Sequence, residues 1–442
     1  MAIKLSDHFG YGRLLRFVAP SIVMMVFTSI YGVVDGLFVS NVVGETAFAA
    51  INFIYPVIMI LGSVGFMLGT GGSAIVAQTL GAGDSKRAKE YFTLIVISTF
   101  VLGAAFSAAG LLFLRPLGAL MGADGELLDL CVEYGRILLF GNVAFMLQNV
   151  FQGFFVTAEK PKLGLLAIVC AGLTNIVLDA LFIKVFGWGV SGAAWATVSG
   201  QIVGGLLPVV YFACKNSSLL RFTKTRFYGK MLVKTCTNGS SELLGNISLS
   251  IVSILYNVQL LKIAGQYGVD VYGFMMYVGF VFVAVFIGYS MGSAPLVSYH
   301  YGAEDLPELK NLTRKSLTIV SAFAVMMTAL SLIFSRPLAR IFVGHTPELM
   351  EMAVEGMRIY AISFLFSGFS IYASSFFTAL GNGVVSAVIS FMRTLVFQVA
   401  AVLILPIFFG VKGIWWSIVV SEVVSLTLSA VFFFVKRKKY GY

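Results

Sequence analysis

The sequence contains the same unit twice, and the two copies lie half a chain apart. Gly189–Gly192, with a tryptophan at 195, returns as Gly410–Gly413, with a tryptophan at 416, and this displacement is half of the 442 residues. Three further pairs keep this half-chain shift: Gly81-Ala82 and Gly302-Ala303, Arg115-Pro116-Leu117 and Arg336-Pro337-Leu338, Thr157-Ala158 and Thr378-Ala379. Near Glu133 and Glu355 the shift is one position longer, so small slips occur. A chain built from two copies of one unit is expected to place its site between the copies.

The composition places both copies in a membrane. Hydrophobic residues make up 59% of the chain and charged residues only 11%, whereas soluble domains carry about 25% charged residues. A helix that crosses the hydrocarbon core needs about 20 mostly apolar residues, and stretches of that kind recur along the whole sequence. They predict twelve transmembrane helices, at 17–39, 47–77, 92–114, 132–157, 164–186, 191–213, 238–261, 271–300, 316–335, 354–379, 384–408 and 413–435.

The predicted fold is therefore an all-α membrane protein, with twelve transmembrane helices in two pseudo-symmetric six-helix bundles. Residues 1–213 form the N-terminal lobe, 214–237 a basic cytoplasmic linker and 238–442 the C-terminal lobe. One uncharged run, 359–392, is too long for a single span. We expect Gly381-Asn382-Gly383 to divide it with a tight turn.

The positions of Lys and Arg set the expected orientation, because short cytoplasmic loops carry an excess of positive charge. With both termini in the cytoplasm, 21 of the 30 basic residues fall on the cytoplasmic side, and the opposite orientation would reverse this bias. The 21 are Lys4, Arg13, Arg16, Lys86, Arg87, Lys89, Lys160, Lys162, Lys215, Arg221, Lys224, Arg226, Lys230, Lys234, Lys310, Arg314, Lys315, Lys436, Arg437, Lys438 and Lys439. The net charge of +10 follows from these segments, so we expect contacts with the lipid bilayer and none with nucleic acid. We expect a monomer in the cell (inner) membrane.

Four oxygen-bearing side chains of the first half are predicted to lie in one layer of the outer leaflet. Because a residue advances about 1.5 Å along a helix, Asp35 lies about 7 Å, Asp179 about 10 Å and Thr197 about 9 Å from the outer edge. Asn175 precedes Asp179 by four residues and shares its helix face. The alternative is that Asn175 and Asp179 only bond to each other or to the backbone. A functional site is favoured, because a packing role rarely demands two acids in lipid.

The chemistry of this layer suits a small cation, because carboxylate, amide and hydroxyl oxygens are the ligands of hard ions. We therefore predict a site for H+ or Na+ at Asp35, Asn175, Asp179 and Thr197, with no other metal and no cofactor. Two carboxylates in one apolar pocket disfavour each other's charge, so one of them can hold a proton. At the positions half a chain after these four residues, the second copy carries Tyr256, Val396, Ala400 and Ile418. The first half is thus expected to carry the ion site.

Other polar residues inside predicted helices are candidates for substrate binding or gating. Arg393 and Glu422 lie near mid-membrane, and a buried structural ion pair is the favoured interpretation. Glu242 lies in the inner half of helix 7 beside small residues. A role in helix packing and a role in substrate handling are equally favoured for it. Pro20 shares its helix with Asp35 and removes a backbone hydrogen bond, so it is a candidate hinge. Five polar residues within apolar runs are candidate lining of a wet interior: Asn149, Gln152, Tyr256, Asn257 and Gln259.

These residues resemble the multidrug and toxic compound extrusion (MATE) family over nearly the whole chain. Residues 31–39, YGVVDGLFV, are similar to the family's signature in the first helix. Residues 175–179, NIVLD, together with Thr197, resemble the cation site of the family's N-terminal lobe. Residues 239–242 and 256–260 are similar to a bacterial branch of the family. The acid that another branch carries in helix 10 is absent here, which argues against an ion site in the C-terminal lobe.

The resemblance implies a cation-coupled multidrug antiporter, in which two lobes rock about a central cavity. Organic, mostly cationic or lipophilic compounds would leave in exchange for inward-moving H+ or Na+. A flippase for lipid-linked precursors, from the same superfamily, is the alternative; it would need a strongly basic cavity, and only Arg393 is clearly within the bilayer. An enzyme is not expected, because no nucleophile–base or metal set lies at one depth. The asymmetric acids also disfavour a passive channel.

Overall fold

The computed structural model describes residues 3–343 and 347–442, which are almost entirely helical. Within this part of the chain, ten helices are long and apolar enough to cross a membrane. Two of the ten, Gly229–Gly302 and Gly383–Tyr440, are interrupted by a glycine with positive φ: Gly265 at 64° and Gly410 at 55°. Divided at these two glycines, the ten described segments become the twelve spans that the sequence predicts.

The helices are numbered here α1 to α12 in chain order. The first half contains α1 (Tyr11–Val42), α2 (Glu45–Gly81), α3 (Ser85–Leu120), α4 (Gly125–Thr157), α5 (Pro161–Val185) and α6 (Gly189–Ala213). The second half contains α7 (229–264), α8 (266–302), α9 (Leu306–Val343), α10 (Pro347–Ala379), α11 (383–409) and α12 (411–440). Two of these helices include a π-helical stretch, α5 at Ala180–Val185 and α11 at Met392–Val396.

Several helices extend further than the sequence predicts, because hydropathy registers only the apolar middle of a helix. Helix α3 begins at Ser85 rather than 92, where the Asp84 carboxylate accepts a hydrogen bond from the Arg87 N–H at 3.0 Å. Such a capping residue fixes a helix start in polar sequence. The predicted break between α10 and α11 is confirmed, since Gly381 adopts φ 74° and the Asn382 side chain caps α11.

The two halves form bundles of the same architecture. Helices α3 and α4 pack together in the first bundle, as α9 and α10 do in the second. One contact near the helix ends is also repeated: Ser191 donates a hydrogen bond to Glu133, and Lys412 pairs with Glu355 at 2.6 Å. Ser191 and Lys412 are related by the half-chain shift, and the two glutamates by a shift that is one position longer. The duplication in the sequence is therefore also a duplication of contacts.

The bundles meet through glycines that allow helix backbones to touch. A Cβ on Gly81 of α2 would lie against the carbonyl oxygen of Tyr299 in α8. A Cβ on Gly302 of α8 would lie in the same way against the carbonyl oxygen of Gln78 in α2. Because the half-chain shift relates the two glycines and also their two partners, the helices cross symmetrically. This crossing lies at the predicted cytoplasmic face, where α2 ends.

The N-terminal segment forms a strap across the same face. The Leu5 N–H donates to Oε1 of Glu159, between α4 and α5, at 2.7 Å. The Phe9 N–H donates to Oε1 of Glu308, in the first turn of α9, at 2.9 Å. Nε2 of Gln78 adds a direct bond between the lobes, to a backbone carbonyl at the end of α10, at 2.7 Å. The two lobes are therefore held together at the predicted cytoplasmic face.

The glycine crossing predicts a strong effect of one added side chain. Gly302→Leu forces the α2 and α8 backbones apart, and overpacking of this kind costs about 1–3 kcal/mol. Gly273→Leu is the matched control, because Gly273 lies in the same helix and has no atom within 4 Å of its Cβ position. Thermal unfolding of the purified proteins in detergent should show a lower melting temperature for Gly302→Leu only. Equal melting temperatures would contradict a close backbone crossing.

Candidate functional site

The N-terminal lobe contains a cavity of about 240 Å³ in its predicted outer half. Helices α1, α2, α4, α5 and α6 form its wall, and α8 of the other lobe contributes one residue. The polar wall residues are Tyr31, Asp35, Asn52, Tyr55, Tyr134, Gln148, Asn175, Thr197, Gln201 and Tyr277. Among the described residues that line it, one is acidic and none is basic. The cavity is thus suited to a positive rather than a negative occupant.

The structure brings the four predicted ion-site residues together. Asp179 is only 2% exposed and lies one turn after Asn175 on α5, while Asp35 approaches both from α1. Thr197 lines the cavity from α6, and its hydroxyl donates to the Ala193 carbonyl at 3.0 Å. The hydroxyl oxygen of Thr197 therefore keeps acceptor capacity toward the cavity.

Most polar atoms of this cluster lack a partner. Neither carboxylate oxygen of Asp179, neither polar atom of the Asn175 side chain, nor Oδ1 of Asp35 reaches a hydrogen-bond partner within the described structure. Buried polar atoms of this kind are costly unless something pairs with them. A proton or a small hard cation would supply that partner, and the donor set consists of oxygens that suit either. The residues present therefore fit H+ or Na+.

The winding of α5 changes directly at this cluster. Its α-helical part ends at Asp179, and the next six residues, Ala180–Val185, are π-helical. π-Helical turns are rare and occur frequently at functional sites. The wider winding rotates the outer end of α5 relative to the turn that carries Asn175 and Asp179.

Sequence reasoning missed the aromatic part of the wall, because single residues do not stand out among 18 tyrosines. Among the described residues that line the cavity, Tyr277 is the one that comes from the C-terminal lobe. Its hydroxyl lies 3.4 Å from the position of a Cβ on Gly36, and its ring lies near Tyr55 and Asp35. Tyr55 and Tyr277 are separated by one position more than half the chain. A position-by-position comparison of the two halves is the signal that could have found this pair.

The other candidate residues of the first half and of α7 lie outside the cavity wall. Nε2 of Gln152 donates to Oδ1 of Asn149 at 3.3 Å, and both side chains are buried in α4. The wall carries Gln148 instead, one turn earlier on the same helix. The remaining candidates are buried in α1 or partly buried on α7: Pro20, Glu242, Asn257 and Gln259. Their roles in bending or substrate binding stay predictions.

Arg393 and Glu422 pair inside the C-terminal lobe. Nε of Arg393 lies 3.1 and 3.0 Å from the two carboxylate oxygens of Glu422, and a terminal guanidinium nitrogen lies 2.8 Å from one of them. Tyr256 is buried in the same lobe, where its hydroxyl shares a hydrogen bond of 2.7 Å with Ser417. The single basic side chain that the sequence places clearly within the bilayer is thus already neutralised.

Comparison with protein families gives a match in each half of the chain. The family model described as MatE matches residues 20–181 and again residues 243–404. The starts of the two matches, and likewise their ends, are displaced by two positions more than the half-chain shift. An independent description of the family thus finds the same duplication.

Similar proteins of curated function are multidrug exporters. The multidrug export protein MepA of Staphylococcus haemolyticus is 22% identical over 420 residues, which cover 95% of this chain and 92% of that protein. MepA of Staphylococcus saprophyticus is 22% identical over 435 residues, covering 96% and 94%. MepA of Staphylococcus aureus is 22% identical over 415 residues, covering 93% and 91%.

Solved structures share the whole fold. A MATE transporter in complex with MaL6 superposes with a TM-score of 0.93 at 24% identity, covering 99% of this chain and 98% of the other. An outward-facing multidrug resistance MATE transporter gives a TM-score of 0.93 at 24% identity, covering 99% and 97%. A MATE in the bent conformation gives 0.87 at 24% identity, covering 97% and 96%.

The unpartnered carboxylate predicts a gain in stability when its charge is removed. Asp179→Asn should raise the melting temperature by several degrees in buffer without sodium, because a buried group then no longer needs a proton or an ion. Asp129→Asn is the control, since the Asp129 side chain is 65% exposed and pairs with Arg115 at the surface. Differential scanning fluorimetry in detergent measures both. A fall in melting temperature for Asp179→Asn would mean that the carboxylate is already satisfied.

Proposed function

Because this chain belongs to the MatE family of efflux transporters, we propose that it is a cation-coupled multidrug antiporter. Organic, mostly cationic or lipophilic compounds leave the cell in exchange for H+ or Na+ that moves inward. The multidrug export assigned to the staphylococcal relatives supports the cargo class. The oxygen cluster in the N-terminal lobe supports the coupling ion.

The close pair of acids, Asp35 and Asp179, carries this proposal, because no basic residue of the described cavity wall balances their charge. When both are charged, they repel each other in a poorly solvated site, so the lobe without a cation is strained. Binding of H+ or Na+ from the outside relieves this repulsion. The free energy of that step is available to favour one arrangement of the lobes over the other, provided that the ion binds the two arrangements with different affinity.

Alternating access follows from where the lobes touch. The glycine crossing of α2 and α8 and the strap at Leu5 and Phe9 close the predicted cytoplasmic face. In the predicted outer half, Tyr55 and Tyr277 are 44% and 39% exposed, although both line the cavity. This pattern supports an outward-facing state, from which rigid lobes rock to open the other side. Pro20, buried in α1, is the proposed hinge.

Tyr277 is the proposed link between the ion site and the second lobe. It belongs to α8 but lies beside Asp35 and Tyr55 of the first lobe. Rocking of the lobes therefore changes the surroundings of the ion, because Tyr277 moves with the other bundle. A difference in ion affinity between the two states needs a contact of this kind.

The chain is a multi-pass membrane protein, and we place it in the cell (inner) membrane as a monomer with both termini in the cytoplasm. The flippase alternative would need a basic cavity for pyrophosphate. The described cavity wall contains no basic residue, and Arg393 is bound to Glu422. The antiporter is therefore the better supported function.

Transport by the purified protein in liposomes tests the coupling. Asp35→Asn should abolish ethidium uptake into inside-out oriented vesicles driven by a pH gradient or a sodium gradient, because the exchangeable cation loses one of its two carboxylates. Running the two gradients separately identifies the ion. Ethidium transport at the normal rate in Asp35→Asn would contradict the proposed mechanism.

Asp270→Asn is the matched control for that assay. Asp270 is exposed on α8 and accepts a hydrogen bond from Gln266 at 2.9 Å, so its loss should leave transport unchanged. A second arm replaces ethidium by a fluorescent lipid-linked pyrophosphate. Transfer of that lipid without ion-driven ethidium transport would favour the flippase instead.

A further inference from the structure

The C-terminal lobe buries a complete ion pair that transport by the first lobe does not require. Glu422 on α12 is 3% exposed, and the Arg393 guanidinium meets both of its carboxylate oxygens. Tyr360 lies beside both charges, and Tyr256 lies near Glu422. A buried ion pair is often no more stabilising than apolar residues of the same size. Stability alone is therefore a weak reason for two charges at this place.

The repeat relates this cluster to the cavity of the first lobe. The half-chain shift converts Glu422 to Gln201 and Tyr256 to Asp35, and both of these line the cavity. Helices α5 and α11 begin at Pro161 and Gly383, so these two helices are related by a shift that is one position longer than half the chain. With this longer shift, Arg393 corresponds to Ala171. Ala171 also lines the cavity. Three residues of the C-terminal cluster thus occupy the counterparts of three cavity-wall positions.

The two counterpart sites differ in how their charge is balanced. In the first lobe the wall position of Ala171 is small, space is left open, and the acids are without partners. In the second lobe the counterpart position carries a long cationic side chain, and its acid is fully paired. The arginine sits in the π-helical stretch Met392–Val396, a local winding that often accompanies functional sites.

We propose that Arg393 is a built-in cation, which permanently occupies the C-terminal counterpart of the cation cavity. Glu422 is the carboxylate of this counterpart, and the guanidinium reaches it from the position that corresponds to Ala171 of the cavity wall. The second lobe therefore exchanges no ion in the transport cycle. Without the arginine, the site would accept a small monovalent cation, H+ or Na+. This inference rests on the proposed cation site of the first lobe, but its test does not depend on transport.

The experiment begins from a background without the first site. In Asp35→Asn/Asp179→Asn, the melting temperature of the purified protein in detergent should not respond to sodium. Adding Arg393→Met should create a response: replacing choline by sodium, or lowering the pH, raises the melting temperature by several degrees. The groups that face Glu422 are then Tyr256 and Tyr360, neither of which carries a charge at neutral pH. Adding Glu422→Gln as a fourth change should abolish the response.

The result that overturns the proposal is a folded Arg393→Met protein that responds to neither sodium nor pH, or a response that survives Glu422→Gln. Arg393→Ala provides a second route if the methionine variant does not fold. Millimolar guanidinium should restore its folding by occupying the vacated place, and choline should not. Failure of guanidinium to restore folding would also overturn the proposal. A missing effect of Asp35→Asn on transport would contradict the antiporter mechanism but not this site.

Discussion

The constraint on which the molecule depends is the presence of two carboxylates, Asp35 and Asp179, close together in one poorly solvated lobe, where the described cavity wall offers no basic side chain to balance their charge. The wall around the acids is lined by hydroxyl and amide groups, which can orient toward a cation but cannot replace it. In the proposed mechanism, a bound H+ or Na+ supplies the positive charge that the cavity wall lacks.

Both lobes bury acidic side chains in related regions of the repeat, and the two lobes balance that charge differently. The first lobe keeps its acids unpaired and leaves room beside Ala171, whereas the second carries Arg393 against Glu422. A symmetric scaffold with one exchangeable site has a physical advantage. In the proposed mechanism the two lobes rock against each other, while the driving ion acts on one lobe and therefore breaks the symmetry.

Much of the fold could be predicted from the sequence, because apolar stretches and their repeat register are local properties. The twelve spans and the break at Gly381 are of this kind. That Asp35 and Asp179 share one layer was predictable from depth along each helix, whereas the packing of α1 beside α5 was not. The participation of Tyr277 was not, since it depends on how one lobe packs against the other. The same is true of Gln148, which depth and polarity alone do not separate from Gln152.

The positions of the contacts between the two lobes bear on how the proposed ion would act on the whole transporter. The crossing at Gly81 and Gly302 brings helix backbones into direct contact and so closes the predicted cytoplasmic face. In the proposed cycle, this crossing separates when the lobes rock to open that face. The same rocking changes the contacts in the predicted outer half, where Tyr277 lies against the first lobe. In the proposed mechanism, a change in how Asp35 is neutralised therefore acts where the second lobe contacts the first. The ion would act on the strap at Leu5 and Phe9 through the positions of the lobes, without contacting it.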